Sequence, residues 1–351
     1  MIIEIEAKNN EKTNMSVWIL YDSVTNSVFE SQVLTPAIKQ LEKNKNPVTT
    51  IISFERNINQ AKKILKHLKL PNNLKIILNP RWYFFGTFSL WLAAKQVCHK
   101  LHTIKPISII ARGPLAGWIA LNILQRTSPK PSLTIQARGL ASEEYHFAHK
   151  VSWKNPARWL MYKILNDIEQ SVYGKAKTIE AVSKALKSYL VQTFKASPQA
   201  ICIAKDDIPS RISTEKQKEW RNEIRKTLKI NSEQTVYCYS GSAKPWQCAQ
   251  ETIEFFAQQL KKDKNVILLI LSRNTKVFSD YLAANNIPQK SYRLLSVQPV
   301  KLIQYLCSAD FGILLRKPHI INWVSRPTKA LEYQAAGLKI IHNNTIDWLQ
   351  K

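Results

Sequence analysis

The stretch that decides the fold class is FGILLRKPHIINWVSRPTKALEYQAAGLKIIHNN, residues 311–344. Its first five residues, 311–315, form a short apolar run, the mark of a parallel strand buried on both faces. Pro327, after Ser325 and Arg326, suits the first position of a helix behind a polar cap. Gly337 closes that helix, and 338–341 begins the next strand. Thr328 and Glu332 stand four residues apart and share a helix face. The N–H groups at the helix start and the positive end of its dipole suit a phosphate. Glu332, one turn further in, is placed to reach a ribose hydroxyl. Taken alone, the same stretch also reads as an ordinary capped helix with a solvated glutamate.

The alternation continues outward from this unit. Strand patterns fall at 15–21, 48–54, 74–78, 107–111, 133–137 and 178–181. Helical patterns fall at 28–41, with Pro36 as a kink or late start, and at 59–68, 84–102, 113–124, 156–173 and 183–194, the last with Ser183 as N-cap. A polar, basic segment without strand pattern, 205–230, divides the chain into unequal halves, with the boundary near Pro209. Beyond it, strands at 235–240, 266–272 and 292–295 alternate with helices at 247–261, 276–284 and 299–307. The expectation is an α/β protein of two Rossmann-like domains, 1–208 and 209–351, each a doubly wound parallel sheet, the second of about five strands. Tandem domains of this kind bind a ligand between them, at the carboxyl ends of the strands.

The 351 residues suffice for two cores, and 45% hydrophobic content excludes a disordered chain. The net charge of +26 favours a polyanionic partner, whether nucleic acid, an anionic membrane face or a phosphate-rich ligand. The lysines are scattered over helix patterns, as on wet helix faces, and no zinc-finger, helix-turn-helix or RNP pattern occurs, so no nucleic acid is expected. Cys98, Cys202, Cys238, Cys248 and Cys307 are far apart, with no CxxC and no histidine at metal-ligand spacing. They read as reduced core thiols of a cytoplasmic protein, with no metal site. Residues 1–14 carry early acidic residues and no apolar h-region, unlike a secretory leader. The segment 80–102 mixes Arg81, Trp82, Tyr83, Phe84, Phe85, Phe88 and Trp91 with Lys95, His99 and Lys100. Such a mixture suits either core packing or peripheral contact with the anionic inner face of a membrane, a contact to which Trp153, Lys154, Arg158 and Trp159 add.

After the strand at 235–240 comes Gly241-Ser242-Ala243-Lys244-Pro245-Trp246-Gln247. A glycine there lets backbone approach a ligand, and Lys244 offers a cation to phosphate. It is neither a Walker A loop nor GxGxxG, and alone it is a strand-to-helix turn. The order GSxKxWQ (241–247), P-x5-YL-x2-AD-x-GILLR (299–316) and N-x4-P-x2-K-x2-EY-x2-AG (322–337) resembles the donor domain of family 4 glycosyltransferases of the two-Rossmann, GT-B type. ARGPLAGWIAL (111–121), QARGLASEEY (136–145) and IEAVSKALKSYL (179–190) resemble cleft-facing and domain-ending segments of the same enzymes. The resemblance implies that Glu332 binds the nucleotide's ribose and that Ser325, Thr328 and Lys329 meet its diphosphate. It further implies that Lys244 neutralises the departing phosphate and that Gly241 and Ser242 let it sit close to backbone. Val297 and Gln298 would lie beside the base, Arg316 and Asn322 would line the donor pocket, and Arg138, Glu143 and Glu144 would face the sugar or acceptor. The implied reaction is anomer-retaining, metal- and cofactor-independent transfer from a nucleotide sugar to a glycan or lipid-linked acceptor.

The sequence departs from that family in several places. Val324 stands where a first glutamate is usual, eight positions before Glu332. Arg112 stands near the place of a common histidine, and Ala137 precedes the Arg138–Gly139 pair where an acidic residue is frequent. Only 8 glycines occur in the chain, and relatives continue past the strand at 338–341 with crossover helices, which this reading leaves out of the second domain. A protein that binds a nucleotide or sugar without turnover is therefore the second expectation.

Overall fold

Apolar runs without alternation become central parallel strands in both halves of the chain. The structure, a computed structural model, describes residues 15–21, 24–26, 29–43, 48–205 and 212–350. The leader reading of residues 1–14, the helix start at Val28 and the domain boundary near Pro209 lie outside the described residues. The chain divides into two units, Met1–Lys205 and Asp206–Lys351.

The first unit runs β1 (Met15–Tyr21), α1 (Thr35–Lys43), β2 (Val48–Glu55), α2 (Ile58–Lys66), β3 (Leu74–Pro80), α3 (Thr87–Ile104), β4 (Ser108–Arg112), α4 (Gly113–Leu124), β5 (Ser132–Ala137), α5 (Ala141–His149), α6 (Pro156–Lys175), β6 (Ile179–Ala181), α7 (Lys184–Phe194) and β7 (Ile201–Ile203). Its strands form one sheet in the order β3-β2-β1-β4-β5-β6-β7, parallel throughout. The order reverses direction between β1 and β4, which makes that the switch point of a doubly wound sheet. A π-helical segment, Glu30–Leu34, with helical backbone at both ends, runs without a break into α1, so Pro36 lies inside a continuous helix just after a π-bulge, where the usual i→i−4 ladder is already interrupted. α4 is apolar on nearly every face because the sheet, α3 and α6 all pack against it. At Gly117 a Cβ would stand 2.7 Å from Val172 Cγ1, so only glycine lets α4 and α6 approach so closely.

Two expectations for this unit are corrected. The helix at 84–102 starts at Thr87, because Gly86 takes φ 59°, ψ −139° and ends an irregular run. That helix buries Leu90, Ala93, Ala94, Val97 and Leu101, while Trp82, Tyr83, Phe85 and Phe88 stay exposed and do not pack into the core. Of the cysteines, Cys238, Cys248 and Cys307 are buried as expected, but Cys202 is exposed; all five are free thiols.

The second unit runs α8 (Thr214–Thr227), β8 (Thr235–Ser240), α9 (Ala249–Lys262), β9 (Val266–Leu271), α10 (Thr275–Ala284), β10 (Tyr292–Leu295), α11 (Leu302–Leu306), β11 (Phe311–Leu314), α12 (Ile320–Trp323), α13 (Thr328–Ala335) and β12 (Lys339–His342). The strands order as β10-β9-β8-β11-β12, again all parallel. VILLIL of β9 is buried at every position, as a strand covered by helices on both faces must be. The basic segment after the boundary holds α8, whose Arg225 is buried and donates to Asp310 Oδ2 at 2.9 Å. Asp310 also receives Arg221 Nη2 at 2.6 Å and the Val236 N–H at 2.7 Å. This one carboxylate therefore ties α8 to the starts of β8 and β11. The helix expected at 299–307 is a 3₁₀ turn, Pro299–Lys301, leading into α11.

Among the described residues no helix is long and apolar enough to cross a membrane.

Candidate functional site

The second sheet reverses direction between β8 and β11. Loops leaving the carboxyl ends of those strands therefore flank the place where open α/β sheets receive ligands. The two strands pair only at Phe311↔Tyr237 and Gly312↔Cys238, although β8 continues to Ser240 and β11 to Leu314. Tyr333 of α13 explains the early end of the ladder. Its ring covers Gly312, where an added Cβ would lie 2.4 Å from the ring. Its hydroxyl accepts the Ser240 N–H at 3.0 Å and lies 3.4 Å from the Ile313 carbonyl oxygen. A buried tyrosine thus replaces the strand pairing and wedges the sheet open at the carboxyl ends of its central strands.

Gly241 follows β8 directly at φ 127°, a conformation other residues rarely adopt. Its N–H donates to the Leu271 carbonyl at 2.9 Å. Beneath it lies the Lys329 ammonium, 3.0 Å from the position of an added Cβ. Lys329 was expected to meet a diphosphate at the helix start. In the structure its side chain runs from α13 to the β8 loop. It is buried, its Nζ donates to Gln247 Oε1 at 3.1 Å, and it lies 4.2 Å from the centre of the Tyr239 ring. The Tyr239 hydroxyl donates to the Ser242 carbonyl at 2.7 Å and stands 3.2 Å from Gln247 Oε1. Burial pushes the Lys329 pKa well below the usual lysine range, and the nearby Arg316 pushes the same way, with Glu332 opposing. Burial raises the Glu332 carboxyl, against the pull of Lys329. These groups form one coupled set at the rim.

Arg316, next to the end of β11, is buried, and burial lowers its pKa. Its backbone is clamped by Asn343, whose Oδ1 accepts the Arg316 N–H at 3.1 Å and whose Nδ2 donates to the Arg316 carbonyl at 2.7 Å. The loop from 317 to 327 is held from within. Asn322 is buried and its Nδ2 donates to the Lys317 carbonyl at 2.8 Å. Ser325 Oγ donates to the Asn322 carbonyl at 2.8 Å. Pro327 is extended, with ψ 127°, and serves as the cap, so α13 begins at Thr328, one residue later than expected. Val324 is buried. Lys244 is exposed on the β8 loop, with Nζ 5.2 Å from the centre of the Trp246 ring. Val297 packs half-buried on the core beyond β10, and the Gln298 carbonyl accepts the Lys301 N–H at 3.0 Å.

In the first unit, Arg138 pairs with Glu180 at 3.0 Å. Glu143 Oε1 accepts the Tyr162 hydroxyl at 3.2 Å. The turn between these two residues is set by a group absent from the expectations, Glu169 of α6. Fully buried, it accepts the Ala141 N–H at 2.7 Å, the Ser142 N–H at 3.1 Å and the Ser142 hydroxyl, and so caps the start of α5. Burial outweighs these bonds and raises its carboxyl to about 7. The signal for it is a glutamate inside the apolar stripe of Leu165, Ile168, Val172 and Tyr173. Tyr239 was likewise not anticipated, and Gln247 and Tyr333, which stand in the quoted motifs at 241–247 and 322–337, were given no role there.

Neither a protein-family model nor a curated protein sequence matches the chain. Solved structures do resemble it. A glycosyltransferase from Rickettsia africae superposes with a TM-score of 0.66 at 13% identity, over 95% of this chain and 80% of that one. WaaG, a glycosyltransferase of lipopolysaccharide biosynthesis, gives 0.66 at 12% identity, over 95% and 81%. Anabaena HepE in complex with UDP-glucose gives 0.67 at 11% identity, over 95% and 82%. At such identities the likeness shows the fold: two parallel-sheet α/β domains of the GT-B glycosyltransferase type.

Proposed function

We propose that this chain is a glycosyltransferase moving a sugar from a nucleotide-sugar donor to a glycan or lipid-linked acceptor, in the synthesis of surface polysaccharide or another glycoconjugate. The observation that carries the reading is the set of Lys329, Arg316 and the start of α13 beside Gly241, at the open switch point of the second sheet. HepE, of similar fold, was solved with UDP-glucose, which favours a nucleotide diphosphate as the group received there.

The chemistry follows from charge. Breaking the bond between the anomeric carbon and the diphosphate oxygen leaves the electron pair on that oxygen. Preset cations in a poorly solvated site stabilise such charge far better than water does. Lys329, Arg316 and the N–H groups of α13 supply that field, and Lys244 adds a mobile cation at the exposed side. The reaction on this reading needs no divalent ion. Glu332 takes the ribose hydroxyls, Ser325 and Thr328 phosphate oxygens, and Val297 and Gln298 flank the base. Arg138 and Glu143, on the turn fixed by Glu169, belong to the acceptor-binding domain. Resemblance to family 4 adds retention of the anomeric configuration, and the free thiols suit a cytoplasmic site of action.

A second reading, nucleotide binding without turnover, is favoured by Val324 in place of the first glutamate. A panel of UDP-, GDP-, ADP- and CMP-sugars separates the two. Transfer predicts a raised melting temperature with at least one donor, together with release of its nucleotide. A raised melting temperature with no release from any donor assigns the protein to binding alone, and no thermal response to the whole panel overturns both.

A further inference from the structure

The first unit carries a surface that the reaction does not use. Tyr83 is 86% exposed, Phe85 73% and Trp153 81%, and Trp82, Phe88, Trp159 and Leu160 are exposed with them. Large apolar groups in that number on one unit are unusual for a solvated face. They are held in place rather than left loose. Ser89 Oγ accepts the Phe85 N–H and donates to the Tyr83 carbonyl, both at 2.7 Å, which locks the turn that presents these rings. The two segments adjoin: a Cβ on Gly86 would lie 3.4 Å from Ile164 Cγ2, and Leu160 sits one turn before Ile164 on α6.

Cations accompany the rings. Lys95 Nζ lies 3.9 Å from the Trp91 ring centre, Lys163 Nζ 5.5 Å from Trp159 and Lys154 Nζ 6.0 Å from Trp153. Phe88 stacks on Trp91 with centroids 5.9 Å apart. Residues 80–102 and 150–166 together hold seven Lys and Arg and no Asp or Glu.

We propose that this face docks the protein on an anionic lipid bilayer. Indole and phenol rings settle at the headgroup level, Phe and Leu reach the acyl boundary, and lysines meet the lipid phosphates. The exposed Leu160 favours a bilayer over a single-stranded nucleic acid, which also stacks on aromatic and basic surfaces but offers nothing for an aliphatic side chain to enter. The proposal stands apart from the transferase reading, since it is decided by vesicle binding alone.

The test is flotation of the full chain with phosphatidylcholine vesicles containing about one-third phosphatidylglycerol, with tryptophan quenching by brominated acyl chains. The wild type is expected to float and to be quenched. Binding is expected to fall at least about tenfold on pure phosphatidylcholine, or when salt rises from about 0.1 M to about 0.5 M. Trp82→Ser with Phe85→Ser, both at exposed positions, is expected to leave the melting temperature unchanged and to weaken vesicle binding about tenfold or more. Lys154→Glu with Arg158→Glu is expected to do the same through charge. Three results would each overturn the proposal: no flotation of the wild type at low salt, vesicle binding by the aromatic variant equal to wild type, or oligonucleotide binding that this variant loses while no lipid quenching occurs. Sedimentation showing a dimer that the aromatic variant converts to monomer, without vesicle binding, would assign the face to self-association instead.

Discussion

Lys329→Met separates the two jobs of a buried cation. Methionine keeps most of the side chain's packing and removes the ammonium. In the unliganded protein the loss of the bond to Gln247 Oε1 costs about 1.5–3 kcal/mol and the contact over Tyr239 about 1 kcal/mol. Gln247 Oε1 is left with the Tyr239 hydroxyl 3.2 Å away, whose single proton goes to the nearer Ser242 carbonyl, so part of the cost of an unsatisfied acceptor is included in the upper figure. Against these losses stands relief of a desolvated charge that Arg316 repels, worth on the order of several kcal/mol. The balance is a stability equal to wild type or higher, where truncating a buried side chain ordinarily costs about 2–5 kcal/mol. Nucleotide diphosphate affinity should move the other way, by about 1.5–3 kcal/mol, a loss of roughly 10- to 150-fold in Kd. Thermal unfolding and titration calorimetry with UDP and GDP measure the pair. Lower stability with unchanged nucleotide affinity would refute the reasoning.

Glu332→Gln should weaken nucleotide binding by about 1–3 kcal/mol if the carboxylate holds the ribose, while a 2′,3′-dideoxy nucleotide should bind both proteins alike. Glu169→Gln should change the pH dependence of the first unit's stability. The folded carboxyl keeps its proton to about 7 against 4.5 for the ordinary group, so this stabilisation is complete below 4.5 and is lost as pH rises to about 7. At 1.36 kcal/mol per pH unit, that amounts to about 3 kcal/mol, visible as a declining denaturation midpoint that the variant lacks. Gly312→Ala puts a Cβ 2.4 Å from the Tyr333 ring and should cost about 3 kcal/mol in chemical denaturation, the upper range for overpacking.

The fold was legible because its strands are buried on both faces, and runs such as those at 266–271 and 48–54 admit no other reading. Domain order and strand count in the second half followed from the spacing of these runs. The site was legible only as a set of residue types at strand ends. Gly241, Arg316, Lys329 and Glu332 are found at one rim, but nothing local tells that Lys329 turns inward, since its direction depends on Gly241 having no side chain and on Gln247 accepting from it. Glu169 was hidden for the same reason: its partners, Ala141 and Ser142, are remote in sequence. The start of the aromatic segment misled because a glycine, Gly86, interrupts a pattern whose periodicity continues through it.

The Tyr333 wedge has a consequence for how a ligand arrives. A crevice that had to be opened on binding would draw on the affinity of each newcomer, and association would wait on the opening. Here the separation of the two central strands is paid for during folding, by a ring locked over Gly312 and a hydroxyl that satisfies the Ser240 amide. The floor of the site is thus preorganised. Selectivity among ligands falls to the two loops above it, 241–247 and 315–327, which can diversify in sequence while the wedge keeps their footing unchanged.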